Sequence, residues 1–186
     1  MDVTETLYVT SRDEWRDWLE EHHKGASEIW LVSYLKKTGK PSIPYNDAVE
    51  EALCFGWVDS IVKKLDEDRY AQRYTSRKAR SGYSQTNKER LKKLIEQGKV
   101  IPEVLVGLDE IGLDDFEYPA DIMAALQENE QVWENFQRYS GSYRRIRIAY
   151  VDVARDRPGE YEKRLATLIK MTEQDKQFGR GLEDYY

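Results

Sequence analysis

The first part of the chain contains one helical and one strand-like pattern of hydrophobic residues. Ser11 and Glu14 form a capping box, and apolar residues then recur at helical spacing over residues 15–22. This pattern predicts a helix that ends before Gly25, because glycine commonly follows the last helical turn. Residues 28–35 are largely apolar and rich in strand-forming residue types, which indicates a central strand.

A second helix and a β-hairpin are predicted next along the chain. Pro44 is well placed just before a helix. Residues 57–64 and 69–75 then show strand-like alternation, and an acidic turn at residues 66–68 joins them. We therefore expect two antiparallel strands in a hairpin.

Helical periodicity dominates the remaining sequence. Residues 84–97 predict a basic amphipathic helix that stops at Gly98, and Pro102 can open another short helix. An acidic loop at residues 112–119 precedes further helical segments. Two helical faces are predicted there, one with Ile122, Leu126, Trp133 and Phe136 and another with Tyr143, Ile146, Tyr150 and Val153.

Together these patterns predict an α+β fold. We expect a small antiparallel or mixed sheet of about three strands packed with helices, followed by a helical C-terminal part. The predicted division is an α+β core domain at residues 1–111 and a helical part at residues 119–176 that packs on the core or is appended to it. Residues 177–186 lack periodicity, and we expect a disordered tail there.

Composition narrows the class of protein. The 13 tyrosines and five tryptophans among 186 residues argue against a disordered chain. No apolar stretch approaches the roughly 18 residues that span a bilayer, so we expect no membrane insertion. The single cysteine, Cys54, lies in an apolar run, which predicts a buried side chain and fits a reducing compartment. The N-terminal residues are acidic where a signal peptide is basic, and we therefore expect a cytoplasmic protein.

Charge is distributed unevenly along the sequence. The net charge is −6, yet residues 60–100 hold 12 basic and 5 acidic residues, whereas residues 101–139 hold 1 and 10. A basic segment of this kind can attract an anionic ligand. The same segment can equally pair with the acidic segment of its own chain, and the sequence leaves both readings open.

Several motifs resemble the YdeI/OmpD-associated (OmdA-like) family, which is also described as bacteriocin-protection proteins. The resemblance is carried by EALCFGWVDS at residues 51–60, RYAQRYTSR at 69–77 and SQTN at 84–87. It resumes with WENF at residues 133–136 and SYRR at 142–145. The resemblance implies a link to bacteriocin resistance or envelope stress, and it implies no particular reaction or catalytic residue.

Arginines on one face of the second hairpin strand suggest a site for an anion. A period of two places Arg69 and Arg73 opposite Tyr70 and Tyr74, and arginine forks bind phosphate or carboxylate. The start of the following helix adds hydroxyl groups and backbone amides that also favour an anion. The predicted site consists of Trp57, Asp59, Arg73, Arg77, Arg80, Ser84 and Asn87. Its ligand would be a small anionic or phosphorylated molecule.

Other interpretations of these residues remain open. The arginines can instead be a solvated face paired with Glu51, Asp59 or Asp66, and Asp59 can pair across the strands with Arg73. Aromatic and basic residues on a β-ribbon also suit a nucleic-acid-binding module, although a sequence pI of about 5.2 disfavours it.

A small enzyme acting on an anionic substrate is the third reading. Asp59 beside Trp57 could act as a general acid, and the discriminating feature is whether Asp59 lies in a concave pocket or is bound by arginines. The adjacent His22 and His23 lack spaced partner ligands, so no metal site is predicted. No cofactor is predicted either, and we expect a binding or stress-protection module more than an enzyme.

Overall fold

A four-stranded mixed sheet organises the N-terminal part of the protein, which we describe from a computed structural model. The strands are β1 (Thr6–Leu7), β2 (Glu28–Tyr34), β3 (Trp57–Lys64) and β4 (Arg69–Ser76), in the spatial order β1-β2-β4-β3. β1 runs parallel to β2, and the other neighbours are antiparallel. The predicted hairpin is therefore confirmed, with a register shift in β3 between Asp59 and Val62.

Helices make up most of the remaining structure. They are α1 (Arg12–His22), α2 (Tyr45–Cys54), α3 (Gln85–Glu96), α4 (Pro102–Leu108), α5 (Ala120–Gln127), α6 (Glu130–Arg138), α7 (Gly141–Asp152) and α8 (Glu160–Glu173). The predicted α+β fold with a helical C-terminal part is confirmed. The sheet has one more strand than expected, because the two-residue β1 adds to the edge of β2.

The structure describes residues 2–78, 82–108, 112–113 and 115–179. The chain forms two compact units. The first contains Met1–Gly82 and Arg90–Ile111, and the second contains Tyr83–Glu89 and Gly112–Tyr186. The division into domains predicted from the sequence stays a prediction.

Helix α1 begins and packs as its sequence dictates. The Ser11 hydroxyl caps the helix by accepting a hydrogen bond from the Glu14 amide at 3.2 Å. Trp15 is fully buried, donates from its indole nitrogen to the Ala48 carbonyl of α2 at 3.0 Å, and meets the ring of Tyr74 at 5.5 Å. These contacts hold α1 and α2 on one face of the sheet.

Both faces of the sheet contribute to the core of the first unit. Trp57 and Tyr74 are each 1 % exposed and share the face on which Trp15 packs. On the opposite face, Trp30 and Ala71 are fully buried and belong to a smaller apolar cluster. The strand that carries the arginines is thus a central strand with packing on both sides.

The helical unit has its own core, built from α5 to α8. The Asn129 and Ser140 side chains cap α6 and α7, each accepting an amide hydrogen bond at 3.2 Å. Its buried residues are Ile122, Leu126, Val132, Phe136, Tyr139, Tyr143, Ile148, Val151 and Leu168.

Two residues of the second predicted helical face are exposed, and one of them lies outside the helix. Val153 is 66 % exposed because α7 ends at Asp152, so the helical periodicity no longer applies to it. Tyr150 is 40 % exposed, and its ring lies under the guanidinium group of Arg164 at 4.1 Å. The Tyr150 ring thus forms a cation–π contact with Arg164 at the surface of the unit.

Candidate functional site

The residues of the predicted anion site project from both faces of the sheet. Asp59 pairs with Tyr74 across the β3–β4 ladder. Side chains alternate along a strand, so Arg73 projects from the opposite face to Asp59. Trp57 shares the face of Asp59, where it is buried and donates from its indole nitrogen to a backbone carbonyl at 3.2 Å. Its environment is that of a core residue.

The charge of Arg73 is balanced by a carboxylate. Its Nε donates to Glu28 at 2.8 Å, and both side chains are about one-fifth exposed. The pKa of Glu28 is lowered by hydrogen bonds, first from Thr4 and then from Arg73. Asp59 therefore does not have the expected partner in Arg73. Arg69 does pair with an acidic residue, as the alternative interpretation of the arginines predicts, because its Nε lies 2.7 Å from Asp66.

The remaining predicted residues lie beyond the hairpin. Arg77 donates to the Gly82 carbonyl within the first unit. Ser84 and Asn87 belong to the second unit, where the Asn87 amide donates to the Ser84 hydroxyl at 3.3 Å. Arg80 lies outside the described residues. The composition of the predicted anion site stays a prediction.

A small pocket lies on the helix-covered face of the sheet in the first unit, and we call it the tyrosine pocket. Its volume is about 40 Å³. It is lined by Leu31, Ser33, Ile43, Tyr45, Ala48, Tyr70, Gln72 and Tyr74. Cross-strand register explains the lining, because Ser33 pairs with Tyr70 and Leu31 pairs with Gln72.

Asp59 lies beside the tyrosine pocket and bonds to two of its residues. The Tyr45 hydroxyl donates to Asp59 Oδ2 at 2.9 Å, and Gln72 Nε2 approaches the same oxygen at 3.4 Å. No arginine forms an ion pair with Asp59 within the described part of the chain. Burial raises the pKa of the Tyr74 phenol, and the neighbouring Asp59 and Tyr45 raise it further. The carboxylate thus belongs to a polar, tyrosine-rich site.

A larger cleft lies in the second unit, where the first turn of α3, the loop at residues 115–119 and α7 meet; we call it the α3–α7 cleft. Its volume is about 570 Å³, within the range of small-molecule sites. Its polar wall includes Ser84, Gln85, Thr86, Lys88, Asp115 and Glu117. Its apolar wall includes Phe116, Pro119, Ile146, Ala149 and Val153.

Two features of the α3–α7 cleft favour a negatively charged group. Ser84 caps α3, so the amides of Gln85 and Thr86 precede the first intrahelical hydrogen bond and carry the positive end of the helix dipole. Lys88 lines the same end and donates to the Gly112 carbonyl at 3.0 Å. Both features present hydrogen-bond donors and positive electrostatic potential to the cleft.

A buried ion pair fixes the first turn of α3 within the second unit. Glu89 is 4 % exposed and receives Arg145 Nε at 2.6 Å and Nη2 at 2.7 Å. Gln85 also donates to this carboxylate at 2.6 Å. The pKa of Arg145 is raised by its hydrogen bonding to Glu89. Bidentate pairing gives the turn a defined orientation on α7.

The described residues contain no group of three or more His, Cys, Asp or Glu side chains that could hold a metal ion. The His22 ring stacks on Trp18 at 4.8 Å.

Cys54 is fully buried, as predicted, and burial raises the pKa of its thiol to about 12. Among the helices that the structure describes, none combines the length and apolar character of a membrane span.

Sequence reasoning missed the residues that join Asp59 in a site. The alternation of β4 places Gln72 and Tyr74 on the face opposite the arginines, but it does not indicate that they lie next to Asp59. Tyr45 gave no signal beyond its position after Pro44 at the start of α2. In the second unit, Lys88 belongs to the basic segment, but its position in a cleft depends on residues far along the chain.

Comparison with known families gives two matches on different parts of the chain. A family model described as a domain of unknown function (DUF8412) matches residues 7–106. A second model, described as bacteriocin-protection, YdeI or OmpD-associated, matches residues 115–175. Neither the curated proteins nor the solved structures give a match.

The second match confirms the YdeI/OmpD-associated resemblance over the C-terminal part, which includes the motifs at residues 133–136 and 142–145. The motifs at residues 51–60, 69–77 and 84–87 lie instead within the first match. The first model covers more than half of the chain. The protein therefore belongs to the family described as a domain of unknown function, DUF8412, and carries a YdeI or OmpD-associated segment at residues 115–175.

Proposed function

We propose that the protein is a binding module for a small anionic ligand and that the α3–α7 cleft holds this ligand. The observation that carries the proposal is that the first turn of α3 lines a cleft of ligand size. The amides of Gln85 and Thr86 and the ammonium group of Lys88 would bind a carboxylate or phosphate there.

The remainder of the cleft defines the rest of the ligand. Ile146, Ala149 and Val153 supply aliphatic surface along α7, so the ligand has an apolar body next to its charged group. Asp115 and Glu117 line the cleft as well. They favour a ligand whose negative charge is confined to the end that meets α3.

Two further parts of the proposal concern the cell. The matched family description names bacteriocin protection, and we extend that role to this protein as ligand-dependent protection. A cytoplasmic location is supported by the single cysteine, which is free and buried. A deletion strain that is no more sensitive to bacteriocins than its parent would contradict the protective role.

Thermal denaturation against a panel of carboxylated and phosphorylated metabolites tests the ligand site. We expect at least one anion with an apolar body to raise the melting temperature, because it binds the folded protein selectively. Lys88→Gln should weaken that binding about tenfold, which corresponds to about 1.4 kcal/mol.

Lys170→Gln is the matched control, since Lys170 is an exposed residue of α8 in the same unit and does not line the cleft. Equal effects of the two substitutions would contradict the site. A single-stranded oligonucleotide serves as a further comparison. Tight retention that falls steeply with salt would instead support nucleic-acid binding.

A further inference from the structure

The tyrosine pocket is lined by two largely buried residues whose hydroxyl groups face no protein partner in the described part of the chain. Tyr74 is 1 % exposed and Ser33 is 9 % exposed, yet neither hydroxyl forms a hydrogen bond to any residue that the structure describes. Both residues line the pocket, so each hydroxyl can form a hydrogen bond to a polar group bound there.

The chemistry of the pocket selects the charge of that group. Asp59 supplies a carboxylate at the edge of the pocket, held by Tyr45 and Gln72. Gln72 uses its amide nitrogen toward Asp59 and toward the Ser60 carbonyl at 3.1 Å, which leaves its amide oxygen as an acceptor. Acceptors of this kind require a ligand with hydrogen-bond donors, and the carboxylate repels an anion.

Aromatic rings supply the second element of recognition. Tyr45, Tyr70 and Tyr74 all line the pocket, and aromatic faces attract organic ammonium groups. Arg90 acts electrostatically on Tyr74, does not line the pocket, and donates from its guanidinium group to the Asn46 side-chain carbonyl at 3.0 Å.

The size of the pocket limits the ligand to a terminal group. A volume of about 40 Å³ accommodates roughly three water-sized groups. Tyr45 is half exposed, so the remainder of a longer molecule can extend past its ring into solvent. From the carboxylate, the three rings and this volume, we infer that the tyrosine pocket binds the terminal ammonium group of a small aliphatic amine.

Calorimetric titration of the full-length protein with four probes of similar size tests this inference. The probes are butylamine, 1,4-diaminobutane, butanol and butyrate. We expect both amines to bind at least about tenfold more tightly than butanol, and we expect no binding of butyrate. Equal affinity for butylamine and butanol, or no binding of either amine below about 10 mM, would overturn the inference.

Substitutions locate the binding within the protein. Asp59→Asn should weaken amine binding about tenfold or more, whereas Glu67→Gln, in the exposed turn of the same hairpin, should leave it unchanged. Tyr74→Phe should weaken amine binding severalfold without lowering the melting temperature, because this hydroxyl bonds to no described residue. Amine binding that survives Asp59→Asn contradicts the site; if that variant does not fold, unchanged amine binding by the Tyr74→Phe variant contradicts it instead. The Lys88→Gln variant should bind amines normally, which separates this test from that of the α3–α7 cleft.

Discussion

Replacing Glu51 with glutamine should destabilise the first unit strongly. Glu51 is 1 % exposed on α2, and its two carboxylate oxygens receive Arg12 Nε and Arg16 Nη1, the latter at 2.8 Å. Glutamine preserves the shape of the side chain but removes its charge. One of the two oxygens becomes an amide nitrogen, which then faces a guanidinium donor.

The magnitude follows from these two contacts. A hydrogen bond to a charged group contributes about 1.5–3 kcal/mol, and breaking a buried ion pair costs about 3–5 kcal/mol. Arg12 and Arg16 retain more than a quarter of their side-chain exposure, and Arg12 also keeps its bond to Glu50. We therefore expect Glu51→Gln to lower the free energy of unfolding by about 3 kcal/mol, at the low end of that range.

Urea denaturation followed by tryptophan fluorescence measures this change, because four of the five tryptophans lie in the first unit. Glu20→Gln is a matched control: Glu20 pairs with the same Arg16 at 3.2 Å but is 56 % exposed. Its loss should cost less than about 0.5 kcal/mol. The reasoning is refuted if Glu51→Gln costs less than about 1 kcal/mol or no more than the control.

Three further predictions follow from burial, backbone geometry and charge. Because burial raises the pKa of Cys54 to about 12, its thiol should react with a thiol reagent only after denaturation; rapid reaction of the native protein would contradict this. Gly56 has a φ of +70°, and a Cβ there would lie 3.2 Å from a side-chain carbon. Gly56→Ala should therefore cost about 1–2 kcal/mol in chemical denaturation, whereas Gly25→Ala, with open space around it, should cost much less. The hydrogen bonds of Arg155 lower the pKa of Asp121, so its stabilising contribution is present above the ordinary carboxyl pKa and is lost as the pH falls below about 4. Arg155→Gln should weaken that acid dependence of the melting temperature, and an unchanged pH profile would argue against the pair.

The sequence predicted those elements whose signals are local. The hairpin strands and helix α3 follow from alternation, helical periodicity and the flanking turn or glycine, and their observed bounds lie within one residue of expectation. Strand β1 was missed because two residues carry no periodicity, and it forms only by pairing with Trp30 and Leu31. Val153 was misplaced because the end of α7 depends on its tertiary surroundings.

The site required information that spacing does not contain. Alternation separated Arg73 from Tyr74, but it could not show that Arg73 pairs with Glu28, which is 45 residues away in the sequence. It also could not show that Asp59 meets Tyr45, because that contact depends on how α2 lies across the sheet. Long-range partners decide whether a charged residue is available to a ligand.

Helix α3 has a consequence for how such proteins can be rearranged in evolution. The family match at residues 115–175 does not include Glu89, yet this residue is the buried, bidentate partner of Arg145 in the second unit. A gene fragment that begins at Gly112 would therefore encode an arginine without its carboxylate. In this protein the stability of the C-terminal segment therefore depends on a residue that lies outside the matched region.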